Sequence, residues 1–278
     1  MPAEGVHFSA LNDSAVATPH PGAARLGAVF VDLPYFDRFP SAVLRYLLDR
    51  PPAPSRWGDV THHRAPIAVG RGLAEEAARL GGDDGAWLHA LALGYISHAA
   101  VDRSVHPHVN ALAAARAERL RDTHARQHQE VEKYQSILFH DARMGFEVMG
   151  TRALYEHCIV DPSPLWKPGR VADAVERVLQ GAWGEAPSRE ELKSWSKGYV
   201  QYVKLIASPL GRRVAPREEK ERVRAEVFPH FAEQFSRAVA QSRRWMQALD
   251  AYVRDGRFDE SARAQLERVI PEGTIDPR

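Results

Sequence analysis

The chain has 278 residues, 44% hydrophobic and 26% charged, enough to bury one sizeable core. The formal net charge is +1, so no strong positive field draws the protein to nucleic acid or to anionic membrane. A single cysteine, Cys158, excludes an internal disulfide and a cysteine-rich zinc site, which leaves imidazole and carboxylate as the ligands for any metal.

The first 22 residues have neither a basic n-region nor a continuous apolar run, so the sequence predicts no secretory signal and a cytoplasmic location. Between residues 22 and 50, two apolar clusters are separated by Pro34, Phe36 and Pro40, which puts Asp32 at a helix end or in a loop. Residues 51 to 64 are rich in proline and polar side chains and have no apolar period. They read as a loop carrying His62 and His63, the kind of segment a rigid scaffold positions for function.

Ile67, Ala68, Leu73, Ala77 and Leu80 predict an amphipathic helix from 65 to about 80, ended by Gly81, Gly82 and Asp83. The next helix is expected over 84 to 104. Its apolar run, Ala86 to Val101, is too short to cross a bilayer comfortably and contains His89 and His98, so it reads as a core helix and not a transmembrane segment. Pro107 is expected to interrupt it, with a second long helix starting near Val109 and running through His128 and Glu132 toward Met149.

Further on, breaks such as DPSPLWKPG, GEAPSRE and SPLGRRVAPRE delimit helices near 170 to 183, 188 to 207, 216 to 254 and 258 to 269. No run has a convincing period of two. The sequence therefore predicts an all-α fold, one domain over 1–278, with the chemistry mainly within 7–140 and a helical extension over 160–278.

Five of the thirteen histidines, His98, His106, His108, His124 and His128, fall within 31 positions, where uniform scatter would put about one or two. His98 and Asp102 are four apart on a predicted helix and so project from one face; His128 and Glu132 repeat the spacing on the next. His124 shares a stripe with His128, and His106 suits a residue that orients a ligand from behind.

The segment GYISHAAVDRSVHPHVN resembles the zinc-dependent phospholipase C family, whose signature is His-x-x-x-Asp-x-x-x-x-x-His with a proline shortly before the last histidine; S1/P1-type nucleases share that core. The resemblance covers residues 7 to about 140. It implies a multi-helix phospholipase C or P1 nuclease-like fold and two or three zinc ions. By the family's pattern, Asp32, a loop histidine (His63, or as second choice His62), His98 and Asp102 hold one ion, and His108, His128 and Glu132 hold another. Asp102 bridges to a third, which a histidine of the first helix and an amino-terminal tryptophan complete in the family. Here the chain starts at Met1, and His7 is the residue that offers itself.

A ligand set of nitrogen and carboxylate oxygen without thiolate suits zinc. The expected activity is hydrolysis of a phosphodiester or phospholipid, with Asp32 as a base where it is only weakly coordinated. Two alternatives stand beside it. One is a non-catalytic helical zinc-binding protein. The other is an HD-type phosphohydrolase built around His140 and Asp141.

Overall fold

In the computed structural model, which describes residues 4–47 and 55–275, the stretch Ala86–Val101 lies at the centre of everything else. Among the described residues the regular structure is helical throughout, with no strand. The helices are α1 (Glu4–Asp13), α2 (Pro21–Phe30), α3 (Phe39–Leu47), α4 (Arg56–His63), α5 (Pro66–Leu80), α6 (Gly82–Leu120) and α7 (His124–Met144). They continue with α8 (Arg152–Cys158), α9 (Arg170–Trp183), α10 (Arg189–Ala207), α11 (Arg217–Val227), α12 (Phe231–Asp255) and α13 (Glu260–Glu267).

Helix α6 is the axis. From Leu88 to Asp102 nearly every side chain is buried, all round the helix, because α2, α5, α7 and α12 pack against it from several sides. Two glycines set the closest crossing. A Cβ on Gly27 would stand 2.0 Å from the Leu91 carbonyl oxygen, and one on Gly94 would stand 1.8 Å from that of Ala24, so α2 and α6 touch backbone to backbone. The apolar core is one connected cluster from Val6 to Ile275, so the segment after residue 160 is part of the same body.

The expected break at Pro107 is absent: α6 runs 39 residues, straight through the proline. Pro107 is on the solvent-exposed side, where the Arg103 carbonyl that loses its helical donor can turn to water. The helix ends later, at Arg121 with φ 53°, where the Asp122 N–H bonds back to the Ala117 carbonyl, and Thr123 caps α7 through the Arg126 N–H.

Two further expectations change. Residues 56–63, expected as loop, form α4, started by the Ser55 side chain accepting from the Gly58 N–H; residues 51–54 lie outside the described residues. The helix expected over 216–254 is two, because Pro229 has no N–H to continue the ladder and His230 adopts φ 64°. The helices expected over 65–80, 170–183, 188–207 and 258–269 are observed as α5, α9, α10 and α13. No helix of the described residues is long and apolar enough to cross a membrane.

Candidate metal centre

The inner face of α6 carries His98, Asp102 and His106, each one turn further along, so a single stripe presents two imidazoles and a carboxylate. His98 is wholly buried and Asp102 is 3% exposed. His7 from α1, Asp32 from the turn after α2, His62 from α4, and His128 and Glu132 from α7 converge on that stripe.

Three of the imidazoles are aimed by what their other nitrogen does. His98 Nδ1 donates to the Ala28 carbonyl at 2.8 Å. That carbonyl is available because α2 tightens at its end: the Asp32 N–H bonds to Val29, leaving Ala28 without its usual helical donor. His62 Nδ1 donates to the Gly58 carbonyl of its own helix at 2.8 Å, and His128 Nδ1 donates to Asn110 Oδ1 at 2.8 Å. In all three the Nε2 atom is turned toward the carboxylates, as in a histidine oriented from behind for metal binding.

The separations between these front atoms are short and even. Asp102 Oδ2 lies 2.9 Å from His98 Nε2 and 3.9 Å from His62 Nε2, while Oδ1 lies 3.4 Å from His7 Nε2 and 3.5 Å from His106 Nε2. Asp32 Oδ1 is 3.3 Å from His62 Nε2; Glu132 Oε1 is 3.1 Å from His106 Nε2 and 3.3 Å from His128 Nε2. Donors bound at 2.0–2.1 Å around a tetrahedral ion stand about 3.3 Å apart. Three groups have ligand atoms all within 4.8 Å of one another and can hold a metal ion: Asp32, His62 and His98; His7, His98 and Asp102; and His106, His128 and Glu132.

Polar atoms left over in this interior point the same way. His98 Nε2 has no aligned hydrogen-bond partner despite the nearby carboxylate, and His7 Nδ1 has none either. His7 stacks on His98 with ring centroids 3.9 Å apart and planes 13° from parallel. A small cavity lined by His7, Asp102, His106, Glu132, Val105 and Phe231 adjoins the cluster.

The charges reinforce one another. Burial on its own raises a carboxyl pKa, yet Asp102 is driven far below its ordinary value by His98, His106 and His7; Glu132 is held well below by His128 and His106, and Asp32 is lowered by His98 and His62. Burial lowers His98, but Asp102 and Asp32 outweigh it and bring the imidazole up to about 9. His7 goes the other way, to about 4, through burial and the neighbouring His98.

Six of the eight residues expected at the metals, His7, Asp32, His98, Asp102, His128 and Glu132, meet here. Two do not. His63 is exposed, and its Nδ1 donates to Thr274 Oγ1 at 2.7 Å; on helix α4, successive residues point about 100° apart, and it is His62 that faces inward. His108 is two positions beyond His106 on an unbroken helix, about 200° around it, and stands near His230; His106 takes the place beside Glu132. His124 stays at the edge, its ring 6.0 Å from that of His128. The pair His140 and Asp141 is divided: His140 bonds the Ser136 carbonyl, while Asp141 takes Lys220 and the Val148 N–H.

The uninterrupted i, i+4, i+8 series His98, Asp102 and His106 was the signal for His106, and the Ser55 cap was the signal that one member of His62–His63 faces in. Comparisons with protein-family models, with curated proteins and with solved structures give no match for this chain.

Proposed function

We propose that the protein is a zinc-dependent hydrolase of phosphoric esters, with a phosphodiester as substrate and two metal positions that share Asp102. The observation that carries this is the division of labour on Asp102: one carboxylate oxygen faces His98 and His62, and the other faces His7 and His106. Asp32, His62 and His98 would hold an ion at the first position, with Asp102 beside His98, and His106, His128 and Glu132 would hold one at the second, with Asp102 beside His106. His98 has only Nε2 to give, since Nδ1 is bonded to Ala28, so His7 competes with Asp32 and His62 for that atom or supplements Asp102 Oδ1.

The donor set of imidazole and carboxylate matches zinc better than softer or purely oxygen-seeking ions. A pair of divalent ions supplies Lewis acidity, bringing the pKa of a water toward about 7 and stabilising charge on a phosphoryl group. The chain's part is to hold the carboxylates ionised, to fix the His62, His98 and His128 tautomers from behind, and to leave an opening for substrate. Asp32 and Glu132 have side chains 18% and 17% exposed, so the opening lies on their side, with the half-exposed Tyr35 ring 5.6 Å from His62. Asp32, its pKa lowered, is a better ligand than proton acceptor.

The resemblance of GYISHAAVDRSVHPHVN to zinc-dependent phospholipase C supports the same reading. The test is metal content of the purified chain by elemental analysis, followed by assay on bis-p-nitrophenyl phosphate, p-nitrophenyl phosphorylcholine and single-stranded nucleic acid. Zinc with turnover of at least one is the expected result. Bound zinc with no turnover favours a binding protein instead, and a chain that takes up no zinc overturns the proposal.

A further inference from the structure

Arg103, one residue past Asp102, spends its guanidinium on main-chain carbonyls: Nε donates to Thr274 at 3.0 Å, and the two terminal nitrogens donate to Pro271 and Gly273. Gly273 has φ 134°, which favours glycine, and a Cβ there would stand 3.3 Å from the guanidinium. The clamp fixes a strap, residues 270–275, whose end residues Ile270 and Ile275 are buried in the core.

From this strap, bonds run to two helix ends. The Ile275 N–H and the Thr274 hydroxyl both donate to the His62 carbonyl, at 3.0 and 3.2 Å, and the Thr274 oxygen accepts from His63 Nδ1. Glu272 Oε1 accepts from the Ile67 N–H at 3.1 Å. His62 is in the last turn of α4 and Ile67 in the first turn of α5, the places where helical carbonyls and N–H groups have no partner within the helix. The residue before α5, Ala65, has no side chain able to cap it, so Glu272 does what a capping residue would.

We infer that the 270–275 strap is a positioning element for the His62 ligand, acting through that residue's own backbone; this rests on the metal reading above. The His62 ring is tied to α4 by its bond to Gly58, so a displacement of the end of α4 carries Nε2 away from Asp32 and His98. Arg103 joins the strap to the helix that carries Asp102, so one segment holds α4 and α6 in register. The second position draws its ligands from α6 and α7 and not from α4, so the strap acts on the first position selectively.

The experiment is zinc titration of the full chain against a chromogenic chelator, for wild type, Thr274→Val and Thr274→Ser, alongside thermal melts of the zinc-free proteins and amide exchange over α4. Thr274→Val keeps the shape and removes the hydroxyl. It is expected to weaken one zinc equivalent by roughly tenfold or more and leave the other at wild-type affinity, and Thr274→Ser is expected to restore it. Unchanged affinity in Thr274→Val overturns the positioning role, even where exchange over α4 quickens. Equal weakening of every equivalent together with a lower melting temperature overturns it as well, in favour of a general loss of structure. A wild-type chain that holds no zinc overturns the metal reading and, with it, any ligand to position.

Discussion

His98 and Asp102 face each other one helical turn apart with Nε2 and Oδ2 separated by 2.9 Å, and the same carboxylate also faces His7, His62 and His106 within 3.4–3.9 Å. A simple buried ion pair needs one imidazole for one carboxylate. Four imidazoles gathered on one carboxylate are what shared ligands of metal ions would require. Asp102→Asn tests this directly. The variant is expected to lose zinc from both positions and to lose stability in the zinc-free state by about 3–5 kcal/mol, because removing one partner leaves buried imidazoles without their counter-charge. Elemental analysis and urea unfolding in chelator measure the two effects.

Zinc uptake should also expel a proton. With its pKa brought up to about 9, His98 is protonated at pH 7 in the zinc-free chain, and Nε2 must give up that proton to bind an ion. Zinc added to the metal-free protein in weak buffer at pH 7 is expected to release about one proton from this group, read by an indicator dye. His98→Gln removes that contribution. A wild-type chain that binds zinc with no proton release contradicts a protonated His98.

Much of this centre was legible in the sequence, for a physical reason: the spacing of four is a property of any helix and needs no knowledge of the fold. His98 with Asp102, and His128 with Glu132, follow from it alone. The family's pattern points to His63 and His108 ahead of His62 and His106, and the helical phase that would separate them is obscured in two places. The 51–64 segment has no apolar period to reveal α4, and Pro107 suggested a break that the exposed side of α6 tolerates. The backbone supports, Ala28 and Gly58, are invisible in a sequence because a carbonyl belongs to every residue.

Paired substitutions separate the neighbours. His62→Ala and His106→Ala are each expected to lose one zinc equivalent, while His63→Ala and His108→Ala keep the full wild-type content. His63→Ala costs the bond to Thr274 and so weakens the strap, an effect on the order of 1 kcal/mol in unfolding experiments. If His108→Ala and not His106→Ala loses metal, the second position is wrongly assembled.

Glu4 gives the zinc-free protein a pH signature. The side chain is 3% exposed, and burial, with the nearby Asp32 charge adding to it, pushes its carboxyl up to about 7. A carboxyl with a folded pKa above its unfolded value takes up a proton on folding. Its contribution is complete below pH 4.5 and fades as pH rises through about 7. Wild-type stability is expected to fall by up to about 3 kcal/mol across that window from this group. Glu4→Gln, neutral at every pH, is expected to flatten that fall, as urea unfolding at pH 5 and pH 8 would show.

The glycine crossing of α2 and α6 ties stability to the metal centre. Adding a methyl at Gly94 places Cβ 1.8 Å from the Ala24 carbonyl, a backbone atom with no side-chain freedom to yield, so α2 must move off α6. Overpacking of this kind costs about 1–3 kcal/mol. Because Ala28 on α2 holds His98 Nδ1, the same movement turns the His98 ring, and Gly94→Ala is expected to weaken zinc binding along with stability. Gly181, inside α9, is the matched control: a Cβ there meets nothing within 4 Å, so Gly181→Ala should raise stability by up to about 1 kcal/mol through helix propensity and leave zinc affinity alone. Equal behaviour of the two variants would mean that the α2–α6 contact does not support the ligand at all.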